Sequence, residues 1–499
     1  MNHSHILSRN AILAIAAATI ALQGCQVGPK YIRPTVQAPP AFKETEPQIA
    51  SDGTVWKTAS PQLASSGLKW WEIYQEPELN ALEDRLNISN QNIAQAFQNF
   101  MAARAQVRQA RASYSPTLTT TPSYTRARAS AHDTTSAVEL SGVNLNSNEF
   151  SLPFDVSWEP DVWGRIRSTV REYANAAQVS AADLANEKLS EQANLAVYYF
   201  EIRGQDAQIA LYRKTIDAYQ QSLRLTQVLS RTGIDNEQSV AQAKLNLKTA
   251  EASATNLRLA RAQYEHAIAL LLGEPASAFS IPEKPQTDVP PFIPAGIPTE
   301  LLQRRPDIAA AERAMSQANA LIGVQTAAFY PSFSISGTAG LQSATVGSWF
   351  TWPSRFFSIG PSATQTLFDA GARRSVLDQY KAQYDGNVAA YRQTVLTAFQ
   401  QTEDYLAAQR ILAQQEQQQQ QAVVEAQRYL DLANVRYRTG VDTFLNVFTA
   451  ETDLLTNQQT TVNLRTQRFT SSVQLIEALG GGWDDTLLPQ ESAVAKKKP

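Results

Sequence analysis

At 499 residues the chain has ample mass for a core, and 43 Lys+Arg against 46 Asp+Glu leave no electrostatic case for nucleic-acid binding. A single cysteine excludes a disulfide framework within the chain, and four histidines, two of them in the first five residues, leave few ligands for a metal. No apolar run after residue 24 is long enough for a transmembrane helix, so a membrane crossing would have to use strands.

Residues 1–24 read as a secretory signal, with Arg9 and the amino terminus supplying charge, Ala11 to Leu22 an apolar core, and Leu22-Gln23-Gly24-Cys25 the end. That end resembles a bacterial lipoprotein signal, in which Cys25 becomes the first mature residue and carries acyl chains. Gln26 follows it in place of the Asp associated with inner-membrane retention, which favours outer-membrane delivery. Residues 25–76 are rich in Pro, Ser and Thr with isolated aromatics, and are expected to lie extended along the outside, docked by Trp70-Trp71. A helical pattern (Leu79, Leu82, Leu86, Ile93, Ala96, Phe97, Phe100) covers 77–113 until Pro116 ends it.

Between 115 and 160 the period changes to two: Phe150, Leu152, Phe154, Val156 and Trp158 alternate with Ser151, Pro153, Asp155 and Ser157. The second half repeats this at Phe357, Ile359, Pro361 and Ala363, and the partner strands are expected at 117–125 and 333–341. Each half thus holds a β-hairpin (about 115–160 and 331–368) of strands about nine to eleven residues long, the length of a tilted membrane strand. The polar loop 126–148 suits the extracellular side.

From Gly164 onward the chain states one unit twice. Gly164, Ser168, Arg231-Thr232-Gly233, Asp235 and Gly273 each recur 207 positions later, at Gly371, Ser375, Arg438-Thr439-Gly440, Asp442 and Gly480. Residues 165–230 contain no Pro and one Gly, Gly204, and would make a rod of roughly 100 Å. Ile209, Tyr212, Ile216, Tyr219, Leu223 and Thr226 lie alternately three and four apart, and Val240, Ala243, Leu247, Ala250, Ala254 and Leu257 continue the spacing after the turn. Val423, Ala426, Leu430, Ala433, Tyr437 and then Val447, Ala450, Leu454, Asn457, Thr461, Leu464 form the second seam. Each copy is therefore an antiparallel coiled-coil hairpin, with long helices at 165–231 and 371–438 and return helices at 235–272 and 442–479. The Pro-rich stretch 274–298 links the repeats (77–273 and 299–480). The second opens with a helix from about 299 that carries Pro306-Asp307 early. The run 414–421 reads as a solvated, Gln-rich helix face, and 481–499 as an unstructured tail.

The expected fold is mainly α with a small membrane β part. Four strands leave two open edges, which a bilayer forbids; three chains would close a barrel of twelve strands, continued by a tube of helices.

Several motifs are similar to those of the outer-membrane factor lipoproteins of RND-type efflux systems, with the TolC-like fold. They are Cys25-Gln26-Val27-Gly28-Pro29-Lys30-Tyr31-Ile32-Arg33-Pro34, Arg305-Pro306-Asp307 with Glu312, Phe329-Tyr330-Pro331, Leu367-Phe368-Asp369 with Gly371, and both Arg-Thr-Gly turns. The resemblance covers the whole mature chain. It implies a homotrimer, a periplasmic adaptor, an inner-membrane pump and export of drugs or other small molecules, with no cofactor beyond the lipid on Cys25. It also implies a periplasmic aperture formed by Tyr437, Asp442, Leu445, Asn446 and Thr449 facing Gln238 and Ser239, where this chain has Asn446 and Thr449 in place of the Asp common in relatives. Type I protein secretion and metal-ion export remain alternatives for the duct, and a non-conducting coiled-coil lipoprotein is the alternative in kind. No Ser/His/Asp constellation, metal spacing or phosphate loop points to an enzyme.

Overall fold

The computed structural model describes residues 26–36, 38–44, 69–128, 130, 146–286, 288–294, 296 and 298–494. The signal, Cys25 and most of the loop expected at 126–148 lie outside the described residues. Among the described residues no helix is long and apolar enough to cross a membrane.

The long rods have the lengths the repeat demands. Helices α3 (Arg165–Arg231) and α8 (Ala372–Arg438) each have 67 residues, and the return helices α4 (Glu237–Leu271) and α9 (Phe444–Ala478) each have 35. Every bound of the second pair lies 207 positions after its counterpart. Gly164 and Gly371 enter the rods with φ of 78° and 88°, a left-handed conformation that favours glycine. At Gly204, the glycine noted in the first rod, α9 approaches so closely that a Cβ would lie 2.3 Å from the Thr466 hydroxyl.

Upstream of the strands the equivalence continues at a different offset. α1 (Pro77–Ser89) and α2 (Gln91–Ala112) correspond to α5 (Pro298–Arg304) and α6 (Pro306–Ala327), and α2 and α6 both have 22 residues. Each pair was expected as a single helix, and each is broken. Asn90 and Arg305 adopt extended backbone at the breaks. Asn90 accepts from Ile93 N at 2.9 Å, capping α2, while Pro306 opens α6 at a position where its missing N–H costs nothing.

The sheet runs (β1,β2)-β3-β4-β5, antiparallel throughout, with β1 Thr117–Thr120, β2 Ser123–Arg128, β3 Asn146–Trp158, β4 Ser332–Ser343 and β5 Arg355–Thr364. The first expected strand is split at Thr121-Pro122, since Pro122 has no N–H for a ladder, and both pieces pair with β3. β3 also pairs with β4, which fuses the two expected hairpins into one sheet. Register puts the apolar residues on one face: Leu152 opposite Leu341, Phe154 opposite Ala339, Val156 opposite Gly337, and Ala339 and Gly337 opposite Phe357 and Ile359. The other face is polar, with Thr338 donating to Asp155 at 2.6 Å and Ser334 bonded to Ser362 at 2.7 Å. Tyr124 stacks on Phe150, which Trp349 of the short helix α7 (Val346–Trp349) meets at a tilt, at the far end of the apolar face, and Trp163 stacks on Tyr330 at the helix end. An apolar band between aromatic girdles is the signature of a membrane β-surface.

Midway along the rods lies the main apolar core. Trp70 and Trp71 are its anchors, held in a 3-10 helix (Trp70–Tyr74) and packed with Tyr199, Phe200 and Phe469. The Pro-rich linker is pinned here too: Arg203 and Arg261 share Asp206, and each donates at 2.7 Å to a linker carbonyl, of Pro282 and Ile281. The segment after Trp483, expected to be unstructured, folds back onto α3. Gln178 donates to Pro489 O, Arg104 to Val494 O, and Val494 is buried in the short helix α10 (Glu491–Val494).

The glutamines of 414–421 are mostly exposed, as a solvated face requires, but Glu416 among them is 2 % exposed and ion-paired with Arg465 and Arg468 of α9. Burial raises its pKa, and the two arginines outweigh that and hold it below the usual carboxylate range. Glu416→Ala would strand two half-buried cations, and is expected to cost about 3–5 kcal/mol. Urea denaturation of the variant measures this loss, and Glu416→Gln should recover part of it.

Candidate functional site: the hairpin ends and the seam between them

The Arg-Thr-Gly turns end both rods by the same geometry. Thr232 Oγ1 bonds the carbonyls of Val228 and Leu229, and Thr439 Oγ1 those of Val435 and Arg436. Gly233 and Gly440 take φ of 77° and 70°, so Ile234 N reaches Leu229 O and Val441 N reaches Arg436 O at 3.0 Å. This is a Schellman ending, which satisfies carbonyls the helix leaves open. Arg231 and Arg438 are exposed beside apolar Ile234 and Val441.

Behind the tips the hairpins share an apolar seam. Tyr437, Phe444, Val447 and Ala450 of the second pack with Ala243, Leu223 and Leu229 of the first. A charge-assisted hydrogen bond crosses the seam, Tyr437 Oη to Asp235 Oδ2 at 2.6 Å. Asp235 Oδ1 also accepts from Ser239 Oγ at 2.8 Å and Asn236 N at 2.7 Å. Burial pushes the Asp235 pKa up, but these donors together hold it below the ordinary value; burial and the facing carboxylate push the Tyr437 hydroxyl up.

The expected aperture residues therefore divide. Tyr437 and Ser239 meet through Asp235, a repeat landmark that sequence reasoning did not place among the aperture residues. Asp442, its counterpart, bonds within its own hairpin, to Thr443 N at 2.9 Å, Arg436 Nε at 3.1 Å and Asn446 Nδ2 at 2.5 Å. The Thr443 N–H is the first cause of its lowered pKa. Leu445, Thr449 and Gln238 are exposed on the single chain, and the Thr449 hydroxyl bonds back to Leu445 O.

The Arg305-Pro306-Asp307 motif lies far from the tip and works as a joint. Arg305 grips Asp307 through two bonds (3.0 and 2.7 Å) and donates to Ala478 O, the last residue of α9, where a helix end attracts a cation. Glu312 accepts the Tyr31 hydroxyl at 2.6 Å and pairs with Arg313, holding the N-terminal segment against α6.

Comparison with known proteins matches residues 82–274 and 297–481 to the family described as outer membrane efflux protein. The chain is 32% identical over 475 residues to "Probable efflux pump outer membrane protein TtgC" of Pseudomonas putida, covering 95% of this chain and 96% of that one. It is 29% identical over 416 residues to "Pyoverdine export outer membrane protein OpmQ" of Pseudomonas aeruginosa, covering 83% and 87%. Among solved structures, the outer-membrane channel OprN superposes with a TM-score of 0.83 at 27% identity, over 92% of this chain and 100% of that one. The open state of the Neisseria gonorrhoeae MtrE outer membrane channel gives 0.79 at 26% identity, over 92% and 99%. The aligned spans are the two repeats, and the chain belongs to the outer membrane efflux protein family, with the fold and the outer-membrane location of its channels.

Proposed function

We propose that three copies of the chain form the outer-membrane exit duct of a tripartite, RND-type efflux pump. The duct passively conducts drugs or other small molecules handed on by a periplasmic adaptor and an inner-membrane pump, with a lipid on Cys25 as a second anchor. The observation that carries this is the sheet: one continuous apolar face, and two edges, β1/β2 and β5, with no partner among the described residues. The helices repeat the pattern, with α2 leading into one edge strand and α8 leaving the other, and much of α8 is exposed where α3 is buried. Such a slab is one third of a cylinder, since a bilayer tolerates no open edge.

The test is size and conductance. Purified protein in detergent should have the mass of three chains and give discrete channels in planar bilayers; a water-soluble monomer without conductance overturns the proposal. Crosslinking in cells followed by mass identification should recover an adaptor on the hairpin tips. The gate is the seam between the hairpins, so Leu430→Asp, which puts a charge against the apolar cluster of the seam, is expected to raise leak of ions and large antibiotics. Unchanged single-channel conductance in that variant counts against this gate.

A further inference from the structure

We propose that the bilayer-facing side of the barrel's extracellular end carries a cationic site for the phosphate-bearing headgroup of an outer-leaflet glycolipid, built across the seam between neighbouring subunits. The inference rests on the trimeric barrel proposed above.

Register carries the first step. Tyr124 lies opposite Phe150, Arg126 opposite Asn148 and Arg128 opposite Asn146, so all six share one face of the sheet. That face is the apolar one, because Phe150 heads the row Leu152, Phe154, Val156. Side chains agree: Tyr124 stacks on Phe150 at 4.6 Å and its hydroxyl donates to Asn148 at 3.2 Å. Arg126 and Arg128 thus continue the membrane side beyond the aromatic girdle.

Arg355 reaches the same side from β5. It lies opposite Leu341 and in one row with Phe357 and Ile359. Its guanidinium stacks over Trp352 at 4.1 Å, and Nη1 donates to Trp352 O at 3.1 Å, which fixes the group while leaving donors outward. The acids fall on the other face, by alternation Glu149 and Asp155. All three arginines are exposed, and among the described residues none is in an ion pair. A rim arginine that only snorkels needs no such segregation of sign.

Topology supplies the seam. β1/β2 runs away from the helices and β5 runs back toward them, so closing the barrel sets them antiparallel with their extracellular ends together. Arg126 and Arg128 of one subunit then stand beside Arg355 of the partner subunit, giving three such sites per trimer. Below Arg355 the same face has a groove of about 730 Å³, with Gly337 and Ala339 as floor between Phe154 and Val156 on one side and Phe357 and Ile359 on the other. An acyl chain lies along such a groove while its headgroup phosphate meets the arginines, a charge-assisted pairing suited to guanidinium.

The test uses the full-length protein in nanodiscs, with native mass spectrometry counting retained lipid. Acylated diglucosamine bisphosphate is compared with its dephosphorylated form. The wild type is expected to retain the phosphorylated form at least about tenfold better, and the triple variant R126Q/R128Q/R355Q to lose that preference. Glu149→Gln, on the pore face, should keep it. No preference in the wild type, or an undiminished one in the triple variant, overturns the site. Conductance of the same preparations in planar bilayers of neutral phospholipid tests the channel separately: a conducting wild type without lipid preference sinks this inference alone.

Discussion

Replacing Tyr437 with Phe is expected to raise the open probability of the resting channel by about tenfold or more, read as single-channel current in planar bilayers. The hydroxyl makes a charge-assisted hydrogen bond across the seam, 2.6 Å from Asp235, and Tyr437 is buried at 4 % exposure. A hydrogen bond to a charged partner contributes about 1.5–3 kcal/mol, and the partial exposure of Asp235 argues for the lower figure. About 1.4 kcal/mol is tenfold in an equilibrium, and in the proposed trimer three copies open together. Asp235→Asn should act in the same direction, whereas Asp442→Asn should change little, because the bonds of Asp442 stay within its own hairpin. The opposite ranking would move the gate to Asp442. The pH dependence follows from the sign of the shift. The Asp235 pKa is depressed in the closed state, so its contribution is present above the ordinary carboxylate pKa and is lost as pH falls through the lower, folded value. Acidification below the usual carboxylate range should therefore loosen the wild-type gate and leave Asp235→Asn unaffected.

The long elements were legible because nothing local opposes them. The three-four spacing from Ile209 to Thr226 and again from Val423 to Tyr437 gives the rods, and period two from Phe150 to Trp158 gives a strand with its correct face. What escaped depends on partners far away in sequence. Pairing of β3 with β4 joins residues about 180 apart, and no periodicity within either strand encodes it. Asn90 breaks a helix without Gly or Pro; its amide is held by Leu271 O and Glu191, both remote. Arg305 was more readable, since the residue before a proline avoids the helical region. At the seam between the hairpins, Asp235 and Asp442 occupy equivalent places in the two copies, and only the packing shows that the first faces the other hairpin. Glu416 was hidden in a run of glutamines whose outward face is real but whose inward residue is an ion-pair centre.

A second device sits two turns farther along α9. Glu451 is 8 % exposed against Tyr219 and Ser222 of the first hairpin, in a groove also lined by Lys214, Leu454 and Arg438. Burial pushes its pKa up from 4.5 to about 7, against which the Ser222 hydroxyl pulls it down. A raised acid favours the seam fully below pH 4.5, and that advantage is lost as pH rises toward 7. The shift corresponds to about 3 kcal/mol per chain at alkaline pH. Glu451→Gln is therefore expected to make the seam insensitive to pH between 5 and 8 and more stable than wild type at pH 8, by up to about 3 kcal/mol. Thermal unfolding of the detergent-solubilised protein at pH 5 and pH 8 measures it: the wild-type midpoint should fall with rising pH, and the variant's should not. Equal slopes in the two proteins would mean that Glu451 stays ionised, with Lys214 or Arg438 neutralising it in the groove. The same substitution is expected to act on conduction through the proposed gate, because Glu451 and Tyr437 brace the same hairpin. Charging Glu451 at high pH and breaking the bond of Tyr437 to Asp235 both weaken the contact that holds the second hairpin against the first. Y437F/E451Q should consequently leak less at pH 8 than Y437F alone, and no more at pH 5.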